Sequence, residues 1–205
     1  MKMIILLAGL LGFTAVAQAQ SVTIRGVRMS GTGCNESTAW ATTTPDGKTL
    51  SVLFDNLKVE IGNGSENPQS TTLKKNCRVL IDVDVPVGYQ YGLEQTDYRG
   101  FAALPVSAYG MHRFTQIIPG QPIVSAREAQ LKGPIADDYA VSVKQKPGRV
   151  VFSPCGQRVQ TMELLSELQV AYFPNTKDRS IAQINLDSVD TGVNSTFVMS
   201  WKKCQ

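Results

Sequence analysis

Cys77-Arg78-Val79-Leu80-Ile81-Asp82-Val83-Asp84-Val85 alternates residue by residue between two kinds of side chain. Cys77, Val79, Ile81, Val83 and Val85 share one face; Arg78, Leu80, Asp82 and Asp84 share the other. A period of two is the signature of a strand with one face on a core. Pro86 and Gly88 end the run, and Tyr89, Tyr91 and Leu93 then alternate with Gln90, Gly92 and Glu94.

The same period recurs on both sides of this stretch. Leu50, Val52 and Phe54 alternate with Thr49 and Ser51, just after Thr44-Pro45-Asp46-Gly47, where Pro presets φ and Gly accepts a positive one. Val59 and Ile61 alternate with Lys58 and Glu60; Tyr139, Val141 and Val143 with Ala140, Ser142 and Lys144. Val150 to Phe152 is a short apolar run, and Phe197, Met199 and Trp201 alternate near the C-terminus. Met162, Leu164, Leu168, Val170 and Tyr172 lie on a period-two line; Leu164, Leu165 and Leu168 also fit helical spacing, so a helix over 161–168 is the competing expectation. Many short strands with turn signals between them predict an all-β chain: two packed antiparallel sheets forming a β-sandwich. Residues 63–72 and 175–180 read as loops, and 119–134, with Pro119-Gly120, Pro122 and Gly133-Pro134, as a long excursion.

The N-terminus carries an address. Lys2 is a short positive region, Ile4 to Val16 an apolar stretch, and Ala17-Gln18-Ala19 a small-x-small cleavage site. Residues 1–19 are expected to be a signal peptide and 20–205 one secreted domain starting at Gln20. The apolar stretch is shorter than the ~20 residues that a membrane-spanning helix needs, and no later segment is longer and apolar enough. Removing Lys2 lowers the formal net charge from +3 to +2, too little and too scattered to recruit nucleic acid or acidic lipid. The expected location is extracytoplasmic, secreted or periplasmic.

In that oxidising compartment, Cys34, Cys77, Cys155 and Cys204 read as two disulfides and not as metal ligands. Four cysteines allow three connectivities, and spacing does not choose among them. Gly31-Thr32-Gly33-Cys34, Pro45-Asp46-Gly47, Lys75-Asn76-Cys77, Asp97-Tyr98-Arg99-Gly100, Ser153-Pro154-Cys155-Gly156 and Trp201-Lys202-Lys203-Cys204 follow one another in this order. In this series the chain resembles a family of small secreted four-cysteine proteins of fungi and some bacteria, defined as a domain of unknown function. The resemblance spans nearly all of residues 20–205. It implies a β-sandwich and the sequential pairing Cys34–Cys77 and Cys155–Cys204. It implies no activity and no site residues.

Candidate chemistry is sparse. His112 is the single histidine and no Gly-x-Ser-x-Gly elbow accompanies it, so a Ser-His-Asp hydrolase is not expected. No metal site and no cofactor is expected. Asp82 and Asp84 point the same way from one strand and, with Asp97, are the carboxylates a glycan hydrolase would use; the plainer reading is a solvated strand face that also discourages edge pairing. Asp187-Ser188-Val189-Asp190-Thr191-Gly192 lacks the spacing of a helical calcium hand and reads as a turn. In Asp97-Tyr98-Arg99-Gly100, Asp97 is expected to pair with Arg99 or brace a turn, with Tyr98 closing a sandwich corner. The rival reading is a ligand platform in which Tyr89, Tyr91, Tyr98 and Phe101 stack on sugar faces. Asn35, Asn63 and Asn194 head N-glycosylation sequons, which matter in a eukaryotic secretory route. The functional expectation is a non-enzymatic secreted module that binds extracellular glycan or cell envelope; the alternative is a hydrolase using paired carboxylates.

Overall fold

The computed structural model describes residues 23–44, 49–121, 125–146, 148–186 and 195–205. The signal and its cleavage site, the Pro45-Asp46-Gly47 turn, Pro122, the Asp187 to Gly192 segment, Asn194 and the side chain of Phe197 lie outside the described residues. The described residues form twelve strands: β1 Thr23–Ser30, β2 Ala39–Thr43, β3 Thr49–Phe54, β4 Leu57–Ile61, β5 Thr72–Asp84, β6 Tyr89–Leu104, β7 Ala108–Ile117, β8 Ser125–Lys132, β9 Ile135–Lys144, β10 Val159–Tyr172, β11 Ala182–Leu186 and β12 Ser195–Lys203.

They form two antiparallel sheets. The five-stranded sheet runs β1-β5-β10-β7-β8, and the other runs β2-β3-β12-β6-β11-β4 with β9 also on β6. The core lies between them, where the period-two faces meet. Val79, Ile81 and Val83 of β5, with Val85 just after it, and Met162, Leu164, Leu168 and Val170 of β10 come from one side; Leu50, Val52, Phe54, Leu57, Val59, Ile61 and Ile184 come from the other sheet, all buried. Burying one such side chain is worth about 1.5–3 kcal/mol, so this alternation is the main force that holds the sheets face to face. Both disulfides are sequential, Cys34–Cys77 and Cys155–Cys204. Cys77 faces inward in line with Val79, and its bridge ties the loop after β1 to the middle of β5.

The structure decides one alternative left open by the sequence and departs from the sequence reading in two places. The 161–168 stretch is strand, as its period-two line predicts, and not helix: β10 pairs with β5 from Val159 to Ala171 and with β7 from Glu163 to Tyr172, and this two-sided ladder overrides the helical spacing of three leucines. The 119–134 excursion contains β8, paired with β7 from Tyr109↔Lys132 to Gln116↔Ser125. β8 is an edge strand whose described residues are exposed or only half-buried, so it has no apolar face to announce it. Finally, Asp82 and Asp84 do not guard an edge, because β5 is flanked by β1 and β10.

Candidate functional site

The four aromatic residues expected to form a platform do not share a surface. Tyr91 and Tyr98 are core residues, 0% and 2% exposed, while Tyr89 and Phe101 are half-buried. The platform expectation is therefore corrected for Tyr91 and Tyr98. The physical reason is a bulge in β6. Opposite it, Val198 of β12 pairs with Gln95 and Met199 with Leu93, so Glu94 is an extra residue. One extra residue reverses the parity of all that follows. Tyr91 and Leu93 face inward before Glu94; Thr96, Tyr98, Ala102 and Leu104 face inward after it, and Phe101 lies on the opposite, outer face.

Tyr98 sits mid-strand and closes no corner. Its ring stacks on Phe114 at 4.0 Å between centroids, and its hydroxyl accepts from Gln116 Nε2 at 3.1 Å. Asp97 faces outward and accepts from Gln95 Nε2 at 2.9 Å and from the Ser142 hydroxyl, and not from Arg99.

His112 is fully buried beside these rings, edge-on to Tyr98 at 5.4 Å. Burial pushes its pKa down to about 3. Its Nδ1 lies 3.2 Å from the Tyr139 hydroxyl, which is 3.1 Å from the carbonyl of Asn185. One assignment serves both contacts: Nδ1–H donates to the tyrosine oxygen, whose own proton goes to the carbonyl. Nε2 is then a bare lone pair, in keeping with its lack of a partner. A neutral imidazole sealed in the core reaches no substrate.

Asp82 and Asp84 stand on the outer face of the five-stranded sheet. Asp82 accepts from Arg28 at 2.7 Å and from the Thr161 hydroxyl at 2.6 Å; Asp84 accepts from Arg25 at 2.6 Å and from Arg158 at 3.2 Å. The hydrogen bonds from Arg28 and Arg25 lead in holding the two carboxyls below the ordinary carboxylate range.

Among the described residues, a concavity lies at the end of the sandwich near Cys34–Cys77. It is a groove of about 250 Å³ lined by Gly31, Thr32, Gly33, Cys34, Asn35, Thr38, Asn56 and Lys75. The Gly31-Thr32-Gly33-Cys34 motif builds one wall by lying hard against β5. Gly33 N–H donates to the Asn76 carbonyl at 2.9 Å, Thr32 N–H to Asn76 Oδ1 at 3.1 Å, and Asn76 N–H to Thr32 Oγ1 at 3.0 Å. A Cβ on Gly31 would collide with the Asn76 carbonyl, and one on Gly33 with Leu57 and with Lys75 Cβ at 3.1 Å, so only glycine allows this approach. The opposite wall is the turn into β2. There Asn35 Oδ1 accepts from Ser37 N–H at 2.9 Å and from its hydroxyl at 2.6 Å, while Thr38 Oγ1 accepts from Asn35 N–H at 2.9 Å. Two residues beyond Thr38, about 7 Å at most along an extended chain, Trp40 stands on the edge strand with half of its surface exposed. A smaller cleft of about 70 Å³ lies at the far end of β5, lined by Val87, Tyr89 and Gly156 to Arg158 among others.

Sequence reasoning missed this groove and Trp40. The Gly31 to Cys34 motif was visible, but nothing local says that the loop packs against Lys75 and Asn76, more than forty residues on. Among the described residues no three His, Cys, Asp or Glu side chains gather as metal ligands would.

The chain is a secreted-type, disulfide-stapled β-sandwich with a rigid polar groove at one end. Residues 20–204 match the model of the domain of unknown function DUF4360, and the chain belongs to that family. A curated relative, an uncharacterized secreted protein of Arthroderma benhamiae, is 29% identical over 184 residues, 89% of this chain and 72% of the relative. Among solved structures, the module TmCBM61 in complex with β-1,4-galactotriose is similar at a TM-score of 0.32 and 7% identity, covering 87% of this chain and 89% of that one. TmCBM27, a carbohydrate-binding module described for specific mannan recognition, is similar at a TM-score of 0.36 and 10% identity, covering 88% of each chain.

Proposed function

We propose that this protein is a non-enzymatic secreted module that binds extracellular glycan, and that it does so at the groove beside Cys34–Cys77. The observation that carries the reading is the groove itself: an amide- and hydroxyl-lined concavity, held by a buried disulfide and the Asn76 hydrogen bonds, with a half-exposed indole two residues from its wall. Sugars present hydroxyl edges and apolar C–H faces. Side-chain amides and hydroxyls meet the first, and an indole stacks on the second at little cost in conformational entropy. A preformed wall leaves little ordering to be done on binding.

The carboxylates support a binder over a hydrolase. A glycosidase needs one carboxyl kept protonated near neutral pH beside one that is ionised. Asp82 and Asp84 are both pulled in the same direction, downward, by arginines on an open sheet face.

Calorimetry of the exported protein against a panel of plant, fungal and bacterial cell-wall oligosaccharides tests the reading. At least one should bind, and Trp40→Ala should weaken it ten-fold or more while leaving the melting temperature within a degree or two, since the ring contributes little to the core. Affinity untouched by Trp40→Ala, or no saccharide bound at all, would falsify the proposal.

A further inference from the structure

Lys75 is in an odd place for a lysine. β5 carries Leu73, Lys75, Cys77 and Val79 on its inward side, and Lys75 sits opposite Leu168 of β10, a fully buried residue. Its neighbours in sequence, Lys74 and Asn76, point outward and are exposed, whereas Lys75 is half-buried. Lys75 is also one of the residues lining the groove, a placement in which a lysine can lay its apolar stem along the core and carry its charged head to the open side.

Most other cations of this sheet are neutralised; Arg127 and Lys132 of the edge strand β8 join no ion pair among the described residues. Arg25, Arg28, Lys74, Arg78, Arg113 and Arg158 each stand within 3.2 Å of a carboxylate on the outer face. Lys75 faces away from all of these, and among the described residues it joins no ion pair. No Asp or Glu lines the groove. The polar groups around it lean toward donors as well. Asn35 Oδ1 is taken up by Ser37, which leaves the side-chain Nδ2–H groups to face a ligand, and Asn56, which also lines the groove, is exposed. A half-buried lysine beside amide donors, with no ion-pair partner among the described residues, is suited to an anion. Charge-assisted hydrogen bonds to a carboxylate are about twice as strong as neutral ones.

We infer that the groove is selective for an acidic saccharide, and that Lys75 receives the carboxylate of a uronic acid residue. This rests on the glycan-binding reading of the same groove and adds the charge of the ligand to it. The cation places the sugar ring within the groove, and Trp40 serves a neighbouring ring.

The test is calorimetry with three probes: an oligogalacturonate, its fully methyl-esterified form, and sodium acetate. The exported protein is compared with its Lys75→Gln and Lys75→Arg variants, each checked for an unchanged circular dichroism spectrum; Lys75→Met, which keeps the apolar stem, replaces Lys75→Gln if that variant does not fold. The acid should bind at least ten-fold tighter than the ester, with affinity falling as salt rises. Lys75→Gln should make acid and ester equal, and Lys75→Arg should keep most of the preference. If acid and ester bind the native protein alike, or if Lys75→Gln keeps the preference, the inference is overturned while glycan binding stands. Acetate competing as strongly as the oligosaccharide would overturn the saccharide part and leave a bare anion site. Failure of these probes together with every neutral saccharide of the panel would overturn both readings.

Discussion

A single buried imidazole gives this protein a sharp acid sensitivity. His112 is neutral in the folded protein, with its pKa pushed down to about 3 by burial, but in the unfolded chain it titrates near 6.5. Between those values the unfolded state binds the extra proton, so stability rises with pH, and it falls as pH drops below about 6.5. The slope is about 1.4 kcal/mol per pH unit for one proton. From pH 7 to pH 5 the protein should therefore lose roughly 2 kcal/mol, before the carboxylates begin to titrate. His112→Leu removes the proton site, and the Tyr139 hydroxyl still has the Asn185 carbonyl. Urea melts at pH 7 and pH 5 should show the loss in the native protein and almost none in His112→Leu. An equal loss in both would mean that the imidazole is protonated in the folded state.

At the scale of an element, β6 decides which aromatic rings are core. Its first half turns Tyr91 and Leu93 inward, its second half Thr96 and Tyr98, and the two halves are reconciled by one residue without a β12 partner, Glu94, whose carbonyl accepts instead from Gln145 N–H at 2.8 Å. The side chain of Glu94 is exposed and contributes little, but its backbone sets the register. Glu94→Ala should change stability by no more than about 0.5 kcal/mol, as an exposed substitution does. Deleting Glu94 should be severe, because either Tyr91 and Leu93 or Thr96 and Tyr98 must then turn to solvent. Thermal melts of the two variants check this; a deletion variant that melts near the native temperature would show that the bulge is dispensable.

Across the whole molecule, two staples of similar span guard opposite ends of the sandwich. Cys34–Cys77 closes a separation of 43 residues and Cys155–Cys204 one of 49. The chain-entropy model assigns each roughly 4 kcal/mol, before strain. They differ in access. Cys34 and Cys77 are buried, whereas Cys155 is exposed and Cys204 half-buried. Thiol attack needs access to sulfur, so graded reduction under native conditions should open Cys155–Cys204 first. Alkylation and peptide mapping at low reductant should label Cys155 and Cys204 well before Cys34 and Cys77. The groove should outlast this first step, since its own staple is the protected one.

The alternation of Cys77 to Val85, Leu50 to Phe54 and Met162 to Tyr172 was enough to predict two apolar-faced sheets, because a period of two is a local property of the chain. The even cysteine count predicted disulfides, and the ordered motifs, through the family they resemble, predicted which pairs. Tertiary structure alone decided the rest. The Glu94 bulge exists only against β12, so no reading of β6 by itself could tell that Tyr98 turns inward. β8 has no apolar face, so only its partner β7 makes it a strand. The groove is a meeting of Gly31 to Asn35, Asn56 and Lys75, and the inward direction of Lys75 reads from sequence as an ordinary charged residue between Leu73 and Cys77. Local patterns carry the faces of strands; what a face meets depends on contacts between residues far apart in the chain, and the site of this protein is made of such contacts.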